Sequence, residues 1–183
     1  IVEGDRVDVT TVDGTIIESY YRKDPNTGQE MRPVSGQNVE LTIDHGTEGH
    51  LITDEIKAAG CPVIVGTDLT SRSKLEVQNM NFKTCGVLHK AGILCAITTD
   101  HPVALIQHLP ICAGLAVKSG LPMQEGLKAM TINAARICRV DDRVGSLKKG
   151  KDADIAIFSG NPMEIFTRTL YTIIDGEIIY TYD

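Results

Sequence analysis

No stretch of the chain is dense enough in lysine and arginine to follow a phosphate backbone, and the formal charge is −6 over 183 residues. Nucleic acid is therefore not an expected partner. No apolar run reaches the roughly 20 residues that span a bilayer. No basic segment followed by an apolar one marks a secretory leader. A membrane is not an expected partner either. C-x-x-C pairs are missing: Cys61, Cys85, Cys95, Cys112 and Cys138 stand singly, which argues against cysteine-bound zinc or thiol redox chemistry. Cys61, Cys95, Cys112 and Cys138 have apolar neighbours and read as small buried hydrophobes in a reducing, cytoplasmic setting. Internal repeats and low-complexity segments are absent as well. What is there is ordinary for a globular protein, 42% hydrophobic and 23% charged, with length for one core and a small second layer. The chain opens on Ile1 rather than Met, so a missing N-terminal portion is expected.

Three rhythms follow one another along the chain. Residues 7–22 read as a β-hairpin, with polar and apolar residues alternating over Arg6-Val7-Asp8-Val9 and a tight turn at Asp13-Gly14. Pro25, Gly28, Pro33 and Gly36 mark 23–36 as a linker. From Gln37 the pattern predicts strand 39–44, helix 51–59 stopped by Gly60, strand 62–65, a polar loop 67–74 and a helix over 76–91. Strand 93–98 and helices over 104–119 and 122–138 complete it, with Pro110 starting or kinking one of them. Apolar strands alternating with helices indicate a parallel sheet covered by helices. After Val144 comes a polar turn, Gly145 to Lys151, in which Lys148, Lys149 and Lys151 read as solvated. A strand at 153–158 and a hairpin at 171–180 around Asp175-Gly176 follow. The chain therefore divides into 1–36, 37–140 and 141–183.

In a closed (β/α)₈ barrel the chemistry sits at the C-terminal strand ends. His45 and Asp100 stand at two such ends. Arg72 and Lys74 lie in the polar loop on the same rim, and His50 and His101 lie close by in sequence. His89 and His108 fall inside helical stretches and read as structural.

The segments Asp44-His45-Gly46-Thr47-Glu48-Gly49-His50 and Thr99-Asp100-His101-Pro102, the helix residues Thr131-Ile132-Asn133-Ala134-Ala135, and the tail Gly145-Ser146-Leu147-Lys148-Lys149-Gly150-Lys151-Asp152-Ala153-Asp154 together resemble the metal-dependent amidohydrolase superfamily, in particular its imidazolonepropionase-like and prolidase-like branch. The resemblance covers about residues 37–183. It implies an α/β fold: the last three strands of a (β/α)₈ barrel, with a small β-sandwich built from N- and C-terminal strands. On that arrangement residues 7–22 pack against 153–180. The resemblance also implies one or two divalent metals, zinc first, iron or manganese otherwise. His45 matches the strand 6 histidine ligand and Asp100 the strand 8 aspartate. The strand 1 His-x-His has no counterpart, since no two histidines here stand at i and i+2.

The implied activity is hydrolysis of a C–N bond in an amide, cyclic amide or dipeptide-like small molecule. Metal-activated water would be the nucleophile and Asp100 the general base, with His45 binding metal or polarising the carbonyl. Arg72 and Lys74 could hold a substrate carboxylate, and His50 and His101 could contact substrate. Plainer readings stand beside each. His45 could be a hydrogen-bonded structural histidine, Asp100 a helix N-cap ahead of Pro102, Arg72 and Lys74 solvated loop charges, and His50 an exposed helix-start residue. A rival for the whole chain is a catalytically incomplete module, stable as a homo-oligomer or beside a missing N-terminal portion.

Overall fold

The structure is a computed structural model that describes residues 8–10, 16–19 and 41–182. The chain divides into two units, 1–41 and 42–183. In the first, β1 (Asp8–Thr10) and β2 (Ile16–Ser19) pair antiparallel, Asp8 opposite Ser19, with an irregularity between Val9 and Thr10. The expected turn at Asp13-Gly14 and the linker 23–36 lie outside the described residues.

The second unit runs α1 (Thr53–Ala59), β3 (Val63–Val65), α2 (Thr84–Lys90), β4 (Cys95–Ile97), α3 (Leu109–Lys118), α4 (Met123–Met130), α5 (Ile132–Ile137), β5 (Ile155–Phe158), β6 (Thr169–Ile174) and β7 (Glu177–Thr181). β3 and β4 pair in parallel, Val63 opposite Cys95 and Val65 opposite Ile97. Ile43 makes a parallel bridge to Val63 on the other side. Among the described residues the expected strand 39–44 is thus only this bridge. The three segments lie side by side in chain order. Val63, Val65, Cys95 and Ile97 are buried with Leu88 and Cys85 of α2, Cys112, Ala113 and Ala116 of α3, and Leu121. Near-continuous apolar strands fit this burial on both faces.

Local chemistry sets the ends. Gly60 stops α1 in a left-handed conformation, φ 67°, with its N–H on the Lys57 carbonyl. Pro110 lies in the first turn of α3 and so starts that helix rather than kinking it. Two expected helices are broken. Only Leu75–Val77, a short 3₁₀ turn, and α2 are helical between 75 and 90. In between, the Asn81 side chain accepts the Lys83 N–H at 3.0 Å, and the Asn79 N–H goes to Glu48 Oε1 at 2.6 Å. Asparagine thus offers the backbone a local alternative to the helix. The stretch 122–138 splits into α4 and α5 at Thr131, whose φ/ψ of −129°/−97° is not helical. Beyond the break, Asn133 reaches the Cys95 carbonyl at 3.0 Å.

β5, β6 and β7 form an antiparallel sheet in chain order. The tail motif explains itself here. Asp152 receives Arg143 Nη2 at 2.6 Å, and Asp154 accepts the Asp175 N–H at 3.0 Å, bracing the β6–β7 turn. Lys151 is not a solvated turn residue. Its ammonium donates to the carbonyls of Val144, at 3.0 Å, and of Asp141. Among the cysteines, Cys95 and Cys112 are buried as expected, but Cys61 is half-buried and Cys138 exposed, because Cys138 closes α5 on its solvent side. No helix among the described residues is long and apolar enough to cross a membrane.

Leu88 is fully buried at the centre of this core. Leu88→Ala should lower unfolding free energy by about 2–5 kcal/mol, read as a shifted midpoint in urea denaturation. A shift smaller than that of a surface Leu147→Ala control would place the core elsewhere.

Candidate functional site

The parallel register puts two strand-end side chains together. Asp100 follows β4 by three residues and His45 follows the Ile43 bridge by two, with β3 between them. His45 Nε2 is 3.8 Å from Asp100 Oδ1 and 3.8 Å from Asp44 Oδ2. That is too long for a hydrogen bond. Two ligand atoms each about 2.1 Å from a tetrahedral zinc ion stand about 3.4 Å apart, so the His45–Asp100 pair, at 3.8 Å, lies a few tenths of an ångström wider than two places in one metal's shell. Both side chains stay partly open, 52% exposed for His45 and 39% for Asp100. Among the described residues no group of three or more His, Cys, Asp or Glu side chains is placed to hold a metal ion.

The backbone at both residues is unusual. His45 has φ 54° and Asp100 φ 50°, a left-handed conformation uncommon for side-chain-bearing residues. Such strain gathers at functional sites and persists where the surroundings impose it. Here the surroundings are tight. A Cβ on Gly46 would lie 2.3 Å from Val63 Cγ1, and a Cβ on Gly66, itself at φ 134°, 2.3 Å from the Thr98 carbonyl oxygen. Asp100 donates its N–H to Thr98 Oγ1 at 3.1 Å and accepts the Val103 N–H at 2.7 Å. It is no helix N-cap. The next helical turn, Ile106–His108, begins after Leu105.

The other expected residues part company. His50 is not an exposed helix-start residue. It is half-buried in a short 3₁₀ turn, Gly49–Leu51, with Nδ1 2.8 Å from Thr84 Oγ1. The Thr84 hydroxyl also lies 2.9 Å from the Thr47 carbonyl and 2.7 Å from that of Asn81. A hydroxyl has one proton, and a carbonyl takes it, so Nδ1–H donates to Thr84 and Nε2 keeps its lone pair. Burial, then the nearby Lys83, lowers the His50 pKa, with Glu48 opposing. His101 is exposed, its Nδ1 accepting the Ile106 N–H at 3.3 Å. Lys74 is exposed. Arg72 faces a cavity of about 250 Å³ shared with Asp68, Thr70, Met80, Asn81 and Phe82, and its Nη2 donates to the Met80 carbonyl at 3.0 Å.

Asp68 was missed by sequence reasoning. Its Oδ1 is buried and finds no hydrogen-bond partner among the described residues, and burial pushes its carboxyl up to about 7. A signal existed. Asp68 follows Val65 by three residues as Asp100 follows Ile97, and Val65 and Ile97 are paired. A separate cavity of about 310 Å³, lined by His89, Glu125 and Lys128 among others, opens at Gly92–Cys95, the opposite end of β4.

These features define an α/β protein whose parallel strands carry a polar site at their C-terminal ends. The model of the amidohydrolase family matches residues 38–180, and the chain belongs to that family. The crystal structure of an amidohydrolase from Thermotoga maritima superposes with a TM-score of 0.75 at 36% identity, over 78% of this chain and 37% of that one. An imidazolonepropionase from Syntrophobacter fumaroxidans is 43% identical over 72 residues, 38% of this chain and 17% of the relative. One from Streptococcus pyogenes serotype M2 is 30% identical over 138 residues, 70% of this chain and 32% of the relative. The chain spans well under half the length of the relatives it matches. A Xaa-Pro dipeptidase with bound methionine shares the fold at 21% identity and a TM-score of 0.61.

Above about 6.5 His50 is neutral in both the folded and the unfolded chain. Because folding lowers its pKa, the unfolded chain binds the extra proton first, so stability should fall as pH drops from 6.5 through the folded value. The ring protons of His50 should titrate with a midpoint below 6.5 by NMR. A midpoint at or above 6.5 would contradict the buried Thr84 contact.

Proposed function

We propose that this chain supplies the strand 6 to strand 8 part of the active site of a metal-dependent hydrolase acting on C–N bonds. The carrying observation is the His45–Asp100 pair, 3.8 Å apart at neighbouring strand ends with both backbones left-handed. On this reading the Ile43 bridge, β3 and β4 are the last three strands of a (β/α)₈ barrel.

His45 and Asp100 would hold a divalent cation, zinc by the preference of a nitrogen and oxygen pair. Bound there, such a cation supplies Lewis acidity and lowers the pKa of water. The chain's own contribution is proton handling. The Asp100 carboxylate accepts the proton of the attacking water at an oxygen 3.8 Å from His45 Nε2 and returns it to the leaving nitrogen. Its position is held by the Thr98 and Val103 hydrogen bonds rather than by the flexible side chain alone. The imidazolonepropionase and dipeptidase relatives support a small amide or cyclic amide as substrate.

A second reading, a catalytically incomplete module, is favoured by one observation: among the described residues the metal-ligand group stops short of three. Zinc content tests the ligand set, and activity with zinc in excess separates the two. The chain dialysed against micromolar zinc should retain well under one equivalent by elemental analysis, because affinity grows with the number of ligands. Tight stoichiometric zinc would show a further ligand, with His50 and His101 tested first. With zinc in excess, Asp100→Asn should lower the hydrolysis rate of N-acyl amino acids about 10²–10⁴-fold with an unchanged circular dichroism spectrum. A variant as active as the parent would overturn the role given to Asp100.

A further inference from the structure

The larger cavity, about 310 Å³, opens at the end of β4 opposite to Asp100. Its floor is apolar. Cys95 of β4, Ala129 of α4 and Leu121 between α3 and α4 are buried, and all three line it. Its mouth is charged, and three helices supply it: His89 from α2, Glu125 and Lys128 from α4, and Arg136 from α5. Glu125 is already engaged, with Oε1 2.6 Å from Lys128 Nζ and Oε2 3.8 Å from His89 Nδ1. The exposed Arg136 side chain has no hydrogen bond and no ion pair among the described residues. With His89 counted neutral, two cations against one carboxylate leave the mouth positive, and Arg136 carries that charge without a counter-ion. α2 ends beside the cavity, but its last carbonyls are satisfied: those of Val87, Leu88 and His89 accept the N–H groups of Ala91, Ile93 and Gly92. The arginine is also held in place through its helix. Asn133 Nδ2 donates to the Cys95 carbonyl at 3.0 Å, which ties α5 to β4. Arg136 lies three residues further on, on the same helix face.

We propose that this cavity is a second ligand site, separate from the rim that carries His45 and Asp100, and that it takes a small organic anion with an apolar body. Arg136 holds the anionic group through paired N–H donors. The body of the ligand covers Cys95, Leu121 and Ala129 and releases water from them. The size of the cavity limits the choice. About 310 Å³ stands at the small end of ligand sites, which run from roughly 300 to 1,000 Å³, so the occupant is of the size of an aromatic or branched short-chain monocarboxylate. Inorganic phosphate would meet the same charge but leave the apolar floor bare. The site needs none of the groups given to hydrolysis and stands whether or not the chain hydrolyses an amide.

The test is calorimetric titration of the full chain, without added metal, with benzoate, with its neutral counterpart benzamide and with inorganic phosphate. Benzoate should bind at least about ten-fold more tightly than either. Benzamide fills the floor without the charge, and phosphate brings the charge without filling the floor. Arg136→Gln should weaken benzoate about ten-fold or more with an unchanged circular dichroism spectrum, since the side chain it replaces is exposed. Arg72→Gln, in the other cavity, should leave benzoate affinity as it is. NMR locates the ligand. Benzoate should shift the amide signals of Gly92 and Leu94, which line the cavity, and leave those of Thr99 to His101 at the rim in place. Benzamide or phosphate bound as tightly as benzoate would overturn the proposal. So would a parent-like affinity in Arg136→Gln, a loss of binding in Arg72→Gln, shifts confined to the rim, or no binding of benzoate at concentrations on the order of 10 mM.

Discussion

Ile64 is held from one side only by the segment that carries His45: its N–H goes to the Ile43 carbonyl at 2.8 Å and its carbonyl accepts the Gly46 N–H at 3.0 Å. Across the strand, Val63 donates to Leu94 and Thr98 donates to Val65, both at 2.9 Å. These four bonds fix a parallel register in which a one-residue slip would turn Val63 and Val65 out of the core. The rim depends on that register. It sets where the chain leaves the sheet, and so where His45 and Asp100 begin their left-handed turns. Gly46 lets the first segment approach Val63 closely, and Gly66 lets β3 end against Thr98. Larger residues at either place would push the strand ends apart before any property of the His45 and Asp100 side chains mattered.

Legibility in the sequence followed this same division. Pro62 to Val65 and Ile93 to Thr98 are apolar runs of strand length, and both became strands, with β3 and β4 at their centres. His45 and Asp100 were visible because each ends such a run. The helices were harder. Periodicity over 76–91 and 122–138 says which face is apolar, but not that Asn81 will satisfy Lys83 locally or that Thr131 will leave the helix so that Asn133 can reach Cys95. Those are decisions made by single hydrogen bonds, and a pattern of apolar positions does not contain them. Asp68 was hidden for another reason. In sequence it is one more polar residue in a polar loop, and only its burial in the fold makes its environment unlike that of its neighbours.

The hub at Thr84 shows how the rim is kept in place from below. Its side chain is fully buried, yet it meets the Thr47 and Asn81 carbonyls and His50. Thr47 is two residues beyond His45, and Asn81 borders the cavity that holds Arg72 and Asp68. One hydroxyl thus ties together the segment after the first strand end and the loop after the second. A buried polar group of this kind is worth more as a constraint than as an attraction, because leaving any of its partners unsatisfied costs about 1–3 kcal/mol.

That constraint offsets a local cost. Left-handed backbone at a non-glycine residue costs of order 1–3 kcal/mol, and two such residues face each other at the rim. Neither gains it back from their mutual contact, since 3.8 Å between partly exposed groups gives little net attraction. The compensation lies beneath, in the buried Val63, Val65, Cys95 and Leu88 and in the bonds that bracket each turn. A pair of side chains held in a strained arrangement by a well-packed core, without a strong bond between them, is placed for a third partner. On the proposed reading, a cation between His45 and Asp100 would supply the attraction that the pair lacks.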